Sequence, residues 1–311
     1  MVNYRCNAAC RHCLYACSPS RRAGYVSEDK IHEISRLLMK GRIGSVHIGG
    51  GEPFLDFQSL LIAIRGLAEA GITLDYIETN AFWANNKECA EYLAILNREG
   101  VKALCISIDP FHAEYVPWEY PINLAHSCEK QGMDFFLWKQ EFIKTLSRLD
   151  NKKRHSREEI ETVLSPDYVG KTAKAYSIRL GGRAANIEEE YGRPRPVADL
   201  LDEFPCNDLL SSGHFHVDLE GFFIPPGCTG LRVPLDELLD GTKEGRYPVF
   251  EVLYSKGITG LYHFARQYGF SEAEKGYPSK CNLCFHIRKF LAPKGFAELD
   301  EDFYVEALKY Y

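Results

Sequence analysis

The chain has 311 residues, of which 45% are hydrophobic and 26% are charged, and this composition is typical of a globular protein with a buried core. Its formal net charge of −6 argues against a nucleic acid as the main partner, because phosphate binding needs a basic surface. No apolar run is long enough for a membrane helix, and the start does not resemble a signal peptide, so we expect no membrane contact.

The chain contains 11 cysteines, an odd number, and several have CxxC or nearly CxxC spacing. In a protein that is not secreted, this pattern indicates metal binding or redox chemistry rather than a disulfide framework. We therefore expect the protein to be cytoplasmic.

Four short β-rich runs follow one another at regular intervals in the first half of the chain. Their late residues are spaced 30, 30 and 29 apart: Ile48, Glu78, Ile108 and Leu137. This spacing is typical of parallel strands joined by helical crossovers. The predicted runs are residues 44–51, 73–80, 103–109 and 133–138.

The segments between these runs have the caps and apolar spacing of helices. The first, from Ser27 to Gly41, has a serine that can cap its start and a glycine that suits its end. The others end at Gly71, Gly100 and Gly132.

With one strand before Cys6 and another at residues 175–182, the count reaches six strands, with a helical insertion at residues 141–164. We therefore predict a partial (β/α)6 barrel whose ligand site lies at the C-terminal ends of the strands.

The pattern changes in the last third of the chain. Residues 214–227 read as a β-hairpin with its turn near Glu220 and Gly221. Short helices and loops follow, and a Pro-rich stretch near residues 190–200 suggests a linker. We predict an α/β domain over residues 1–190 and a small α+β domain over residues 191–311.

Three cysteines, Cys6, Cys10 and Cys13, lie close together in the pattern CxxxCxxC. Three thiolates on one short loop can hold an iron–sulfur cluster whose fourth iron has no protein ligand, and an open metal position can bind another molecule. The spacing alone also allows a zinc site completed by His12 or Cys17, or a set of thiols without any metal.

A glycine-rich motif, GGGEP at residues 49–53, follows the second predicted strand. Consecutive glycines let the backbone approach a ligand closely, and Glu52 can accept charge-assisted hydrogen bonds from a cationic amino group. In isolation the motif also fits a plain strand-to-helix turn.

The two motifs together, in this order and each after a strand, resemble the radical S-adenosylmethionine (radical SAM) superfamily, over roughly residues 1–185. The resemblance implies that Cys6, Cys10 and Cys13 hold a 4Fe–4S cluster and that S-adenosylmethionine chelates the fourth iron. It further implies that reduction splits the cofactor into methionine and a 5′-deoxyadenosyl radical, which abstracts hydrogen from a substrate.

The resemblance also suggests residues that contact S-adenosylmethionine. They are Gly50, Gly51 and Glu52 in the glycine-rich motif, Asn80, Ser107 and Asp109 at later strand ends, and Arg183 in the stretch GGRA. Structural turns or polar surface residues are alternatives for the later positions. Cys105 shares a strand face with Ser107, so it is a candidate hydrogen donor, although a small buried hydrophobic residue is the commoner role.

Four later cysteines, Cys206, Cys228, Cys281 and Cys284, resemble the SPASM/Twitch extensions of radical SAM enzymes. The resemblance implies a second, auxiliary 4Fe–4S cluster. Six residues separate Gly221 from Cys228, whereas the family usually has four, which leaves the ligand set open. A structural zinc site is the alternative.

We therefore predict an enzyme that abstracts hydrogen from a peptide or amino-acid-like substrate and then oxidises, crosslinks or epimerises it. A flavodoxin or ferredoxin would supply the low-potential electron. The alternatives are a radical SAM dehydrogenase of a small molecule and, more remotely, a zinc-binding interaction protein.

Overall fold

The computed structural model describes residues 1–21, 24–85, 87–176, 181–203, 206, 209 and 213–310. The chain forms two compact units. The first comprises residues 1–10 and 17–176, and the second comprises residues 11–16 and 177–311. The assignment of residues 1–190 and 191–311 to two domains stays a prediction.

The first unit contains a parallel sheet of four strands in the order β1-β2-β3-β4. This α/β arrangement confirms the predicted fold class and the four regularly spaced strands. The strands are β1 (Ser45–Ile48), β2 (Thr73–Thr79), β3 (Ala103–Ser107) and β4 (Asp134–Trp138).

Helices precede and connect these strands, as the spacing predicts. Ser27 caps the first helix by accepting a hydrogen bond from the Lys30 amide, and Gly132 ends the last crossover helix with a left-handed φ of 65°. The longer helices of this unit are Glu28–Lys40, Phe57–Glu69, Cys89–Arg98, Glu119–Gln131 and Tyr168–Tyr176. The shorter ones are Pro110–Ala113, Ile143–Leu146 and Arg157–Val163.

The two outer strands of the predicted six differ from the expectation. Residues 1–5 form only isolated bridges, from Asn3 to Tyr25 and from Arg5 to Ser18. Their main chain instead bonds the glycine-rich loop after β1, beginning with Val2 N to Gly49 O at 3.0 Å. Of the predicted strand at 175–182, the first two residues end a helix and residues 177–180 lie outside the described part of the chain.

The second unit contains a small antiparallel sheet of β5 (His216–Val217), β6 (Phe222–Ile224) and β7 (Val233–Pro234). The predicted hairpin turn is present. Asp218 accepts hydrogen bonds from the amides of Glu220 and Phe222, and Gly221 has a φ of 90°. The helices of this unit are Ala184–Tyr191, Val197–Leu201, Leu235–Asp240, Pro248–Gln267, Lys280–Leu291 and Glu301–Lys309.

The core of the first unit lies between the sheet and its crossover helices. Ile77 on β2 and Leu104 on β3 are fully buried, and Leu60 and Ile64 belong to the helix Phe57–Glu69. Within the described residues, no helix combines the length and the apolar character that a bilayer crossing requires.

One helix offers a matched test of this packing. Ile64 is 2% exposed and Ile62 is 39% exposed, both in Phe57–Glu69. We expect Ile64→Ala to lower the free energy of unfolding by about 3 kcal/mol because it leaves a cavity. Ile62→Ala should change it by about 0.5 kcal/mol or less. Urea unfolding of both variants checks this, and equal losses would contradict the described core.

Candidate active site

Two glycines of the motif GGGEP bring the loop after β1 against the chain just before Cys6. A Cβ atom on Gly51 would lie 1.9 Å from the Arg5 carbonyl oxygen. A Cβ atom on Gly50, whose φ is 148°, would lie 2.6 Å from the Asn3 carbonyl oxygen. Only glycine permits this approach of two main chains, so the motif fixes the start of the cysteine loop.

Hydrogen bonds join the same two segments. The Gly51 amide donates to the Asn3 carbonyl and side-chain oxygens at 2.9 and 3.0 Å. The Asn3 side-chain amide donates to the Glu52 carbonyl at 3.0 Å, and the Glu52 amide donates to the Arg5 carbonyl at 3.0 Å. These hydrogen bonds therefore hold together the two segments whose close approach the glycines permit.

The Glu52 side chain joins this loop to the end of β2. Its carboxylate accepts hydrogen bonds from the Phe54 amide at 3.1 Å, the Thr79 hydroxyl at 2.9 Å and the Asn80 amide at 2.7 Å. Burial raises the pKa of Glu52 to about 7, although the two amides and the hydroxyl act in the opposite direction. The carboxylate thus fixes the loop, and its predicted contact with the cofactor's amino group stays a prediction.

Asn80 lies beside Cys6. Its side-chain amide donates to the Asn7 side-chain oxygen at 2.8 Å and lies 3.8 Å from the Cys6 sulfur. The Ala8 amide also donates to this sulfur, at 3.4 Å. N–H donors around a cysteine sulfur stabilise a thiolate, which is the form that binds iron.

Cys10 and Cys17 flank residues 11–16, the tip of the cysteine loop, in the sequence. Both are buried in the first unit. The Cys10 sulfur is hydrogen-bonded to His112. The Cys17 thiol donates to the Gly50 carbonyl at 3.6 Å, so it packs on the glycine-rich loop.

Asp109 caps the short helix Pro110–Ala113. Its carboxylate accepts hydrogen bonds from the amides of Phe111 and His112 at 2.8 and 3.0 Å and contacts the His112 ring at 2.5 Å. The predicted contact of Asp109 with the cofactor stays a prediction.

One face of the sheet carries a row of aromatic side chains, two of which are exposed. The Tyr76 ring packs edge-on against Phe136 at 5.2 Å and stacks on His47 at 4.8 Å. Phe136 is 39% exposed and Trp138 is 48% exposed. We call this surface, formed by His47, Tyr76, Phe136 and Trp138, the aromatic face.

Cys105 and Ser107 lie on β3 beside this face, where they pair with Phe136 and Trp138 of β4. Cys105 is 5% exposed, and burial, followed by the charge of Glu78, raises the pKa of its thiol. The group therefore remains a protonated S–H, which is the form that a hydrogen donor needs. Its catalytic role stays a prediction.

A further glycine, Gly182, contacts the tip of the cysteine loop within the second unit. Gly182 has a φ of 56°, and a Cβ atom there would lie 2.3 Å from the Leu14 carbonyl oxygen. The Arg183 amide donates to the Cys13 carbonyl at 3.1 Å, and the buried Arg183 guanidinium lies over the Tyr310 ring at 5.7 Å. The contact of Arg183 with the cofactor stays a prediction.

The four late cysteines come together in the second unit. Hydrogen bonding to Cys206, then burial, raises the pKa of the Cys228 thiol well above its ordinary value, and Cys284 adds to this effect. Desolvation of the Cys281 sulfur by the surrounding protein also raises the pKa of its thiol. The charges of Cys284 and Cys206 act in the same direction. The assignment of these four thiols to an auxiliary 4Fe–4S cluster stays a prediction, with zinc as the alternative.

A buried cation borders this group. Arg288 donates hydrogen bonds to the Thr229 carbonyl at 2.8 Å and to the Tyr304 hydroxyl at 3.0 Å, and its guanidinium interacts with Cys284 and Cys228. Its Nε atom is buried and makes no hydrogen bond to the described residues. A positive charge and an unused donor at this place fit an anionic metal–thiolate group.

The Radical SAM superfamily matches residues 2–125, which contain CxxxCxxC, GGGEP and β1 to β3. This match covers one segment and not the whole chain. The superfamily implies a 4Fe–4S cluster and S-adenosylmethionine as cofactors, and the donors around Cys6 and the close glycine loop fit such a group.

A curated relative matches part of the chain. The chain is 34% identical over 141 residues to the "Putative peptide biosynthesis protein YydG" of Bacillus subtilis (strain 168), an alignment that covers 44% of this chain and 43% of the relative. The chain thus matches less than half the length of this relative.

Two solved structures are similar over most of the chain. Native anSMEcpe with bound AdoMet has a TM-score of 0.46 at 13% identity, with 94% of this chain and 96% of that chain covered. Streptococcus suis SuiB bound to S-adenosylmethionine has a TM-score of 0.38 at 15% identity, with 89% and 75% covered.

Several residues of the site have no motif that singles them out in the sequence. Asn3, Thr79 and Arg288 act through contacts with residues far along the chain. His112 is different, because Asp109 and His112 are three residues apart, a spacing that places side chains together on a helix.

Gly51 provides a test of the contact before Cys6. We expect Gly51→Ala to lower the free energy of unfolding by roughly 3 kcal/mol, because the new methyl group collides with the Arg5 main chain. Gly44→Ala is the control, since a Cβ atom there meets nothing within 4 Å. Denaturant unfolding and iron retention measure the effect, and a Gly51→Ala protein as stable as the control would contradict it.

Proposed function

We propose that the protein abstracts hydrogen from a peptide or amino-acid-like substrate and that the substrate is then oxidised, crosslinked or epimerised. The superfamily match supports the radical step. The relative whose name refers to peptide biosynthesis supports a peptide as the substrate.

The aromatic face is the observation that favours a peptide over a small molecule as the substrate. Phe136 and Trp138 are 39% and 48% exposed, although large aromatic side chains usually bury most of their surface. An open surface of this kind can contact several side chains of an extended segment, whereas small molecules generally occupy enclosed pockets. Glu78, which lies beside His47, adds a carboxyl group that can hydrogen-bond an amide of such a segment.

In this proposal Cys6, Cys10 and Cys13 hold the first 4Fe–4S cluster. When bound, this cluster and S-adenosylmethionine supply the 5′-deoxyadenosyl radical that removes a hydrogen atom from the substrate. Gly50 and Gly51 bring the main chain to the cofactor, and Glu52 keeps their loop in place. Ser107 and Arg183 are the proposed polar contacts of the cofactor.

Cys206, Cys228, Cys281 and Cys284 hold an auxiliary 4Fe–4S cluster in this proposal. When bound, it supplies an acceptor for the electron that a substrate radical loses during oxidation. Arg288 balances the negative charge of the four thiolates from a buried position.

The proposal includes an electron donor and a compartment. A flavodoxin or ferredoxin delivers the low-potential electron, and a reducing cytoplasm keeps the cysteines reduced.

Anaerobic incubation with S-adenosylmethionine and dithionite tests the radical chemistry. We expect the reconstituted protein to form 5′-deoxyadenosine, and we expect no product when Cys6, Cys10 and Cys13 are all changed to alanine, because the first cluster is then lost. Liquid chromatography with mass detection measures the nucleoside. Equal formation by both proteins would contradict the assignment of these ligands.

The substrate class is tested with material that copurifies from cells grown without oxygen. A bound peptide that loses two hydrogen atoms, or that exchanges one hydrogen with heavy water, supports oxidation, crosslinking or epimerisation. A bound metabolite that loses two hydrogen atoms favours the small-molecule dehydrogenase instead. A colourless protein with zinc and no iron would support the interaction protein and overturn the proposal.

A further inference from the structure

A cavity of about 800 Å³ lies beside Cys6, and all of its lining residues belong to the first unit. Its volume falls within the range of sites that bind small molecules and cofactors. None of its lining residues belongs to the predicted contacts of S-adenosylmethionine, so the cavity borders a cluster ligand without being part of the predicted cofactor site. Its walls include Arg5, Cys6, Tyr25, Leu55, Gln58 and Tyr92.

Hydrogen bonds and ring stacking hold these walls in place. The Tyr25 hydroxyl donates to the Pro53 carbonyl at 3.0 Å and accepts a hydrogen bond from the Asp56 amide at 2.9 Å. The Tyr92 ring stacks on Phe57 at 3.8 Å, with an angle of 7° between the two planes. A site whose walls are already fixed costs little ordering entropy when a partner binds.

The lining combines apolar walls with exposed polar groups. Tyr25, Leu55 and Tyr92 are half-buried, whereas Arg5 and Gln58 are exposed. Aromatic walls suit a flat aromatic ring, because rings pack by stacking or edge-to-face contact. An apolar centre with polar groups around it is also the usual arrangement of a protein interface.

The sequence that borders the cavity is basic. Residues 1–27 contain four arginines and no aspartate or glutamate, although the whole chain has a net charge of −6. Arg5 is the exposed arginine that lines the cavity. Asp56 also lines it, but its carboxylate accepts hydrogen bonds from the Ser59 amide and hydroxyl at 3.1 and 2.8 Å, at the positive end of the helix Phe57–Glu69. These charges favour an anionic partner.

We propose that this cavity is the docking site of a reduced flavodoxin, whose flavin edge enters it beside Cys6. Flavodoxins are small acidic proteins that leave one edge of a planar flavin ring open to solvent. The acidic surface matches Arg5, and the flat edge matches the aromatic walls. A ferredoxin holds its cluster among its own cysteine ligands and presents no planar ring, so a concave aromatic site suits it less well.

The inference rests on the proposed function, because it requires a cluster on Cys6, Cys10 and Cys13 that accepts an electron. One electron passes from the reduced flavin to that cluster. The flavin is oxidised by one electron, the cluster is reduced by one, and no bond forms or breaks. Because electron transfer slows steeply with distance, a site that Cys6 itself lines is a suitable place for the donor.

Gln58 allows a charge test at the cavity, because its side chain is exposed on the first turn of Phe57–Glu69. Gln58→Lys adds a positive charge, Gln58→Glu adds a negative charge, and Arg5→Gln removes a positive charge. Gln131→Lys and Gln131→Glu are the matched controls. Gln131 is exposed at the end of Glu119–Gln131, just before β4 begins, and strand starts lie at the edge of a parallel sheet opposite to the loop after β1.

The measurements use the anaerobically reconstituted protein and a purified bacterial flavodoxin. Isothermal titration calorimetry with the oxidised flavodoxin gives the association constant. Stopped-flow absorbance of the flavin, after mixing with the reduced flavodoxin, gives the rate of electron transfer. The same rate is measured with a reduced ferredoxin, and 5′-deoxyadenosine formation with dithionite shows whether the radical chemistry is intact.

We expect Gln58→Lys to raise both the association constant and the transfer rate about threefold at low ionic strength, and Gln58→Glu to lower both about threefold. Arg5→Gln should lower both by a similar factor, with unchanged iron content. These differences should disappear at about 0.5 M salt, because salt screens exposed charges. The Gln131 variants should match the wild type. Formation of 5′-deoxyadenosine with dithionite should be equal in the Gln58 variants and the wild type, because so small a reductant needs no docking surface.

Equal binding and equal transfer rates in the Gln58 variants would overturn the proposal. Shifts of the same size in the Gln131 variants would also overturn it, because net charge would then explain the effect. Charge effects on transfer from the ferredoxin, with none on transfer from the flavodoxin, would show that the site receives a different carrier. A wild-type protein that forms no 5′-deoxyadenosine with dithionite would instead overturn the proposed function, so the two failures are distinguishable.

Discussion

The close approach of glycine main chains to the cysteine loop is the constraint on which the site depends. Gly50 and Gly51 contact the chain before Cys6, and Gly182 contacts the chain at Cys13 and Leu14. Each contact leaves no space for a Cβ atom, so side chains larger than hydrogen would push the loop away. Within their own units, these glycines fix the main chain before Cys6 and the main chain at Cys13 and Leu14.

Buried polar groups add hydrogen bonds that hold these segments in place. Glu52 connects the glycine loop to the end of β2, where Asn80 contacts the Cys6 sulfur. Asp109 connects the end of β3 to Cys10 through His112. Two neighbouring strands thus each place one polar side chain against one cysteine. Polar residues that follow neighbouring parallel strands can therefore meet at one edge of the sheet, where a ligand site is expected.

Much of the fold followed from the sequence because local signals and spacing agreed. The intervals of 30, 30 and 29 residues and the capping residues Ser27 and Gly132 correctly predicted four strands and their helices. The run before Cys6 counts as a strand in the predicted barrel, but its hydrogen bonds go to the glycine loop. The roles of Glu52 and Asp109 could not be deduced, because a carboxylate that faces a ligand and one that caps its own loop have the same sequence pattern. Arg288 depends on contacts with Thr229 and Tyr304 that no local motif encodes.

The iron and sulfide content of the anaerobically reconstituted protein tests the central claim most directly. Two ligand sets of this kind predict about eight irons per chain, and about four when Cys6, Cys10 and Cys13 are all replaced by alanine, because the four late cysteines retain their own cluster. About four irons that fall to none would contradict an auxiliary cluster. Iron content that the triple substitution leaves unchanged would contradict the first cluster.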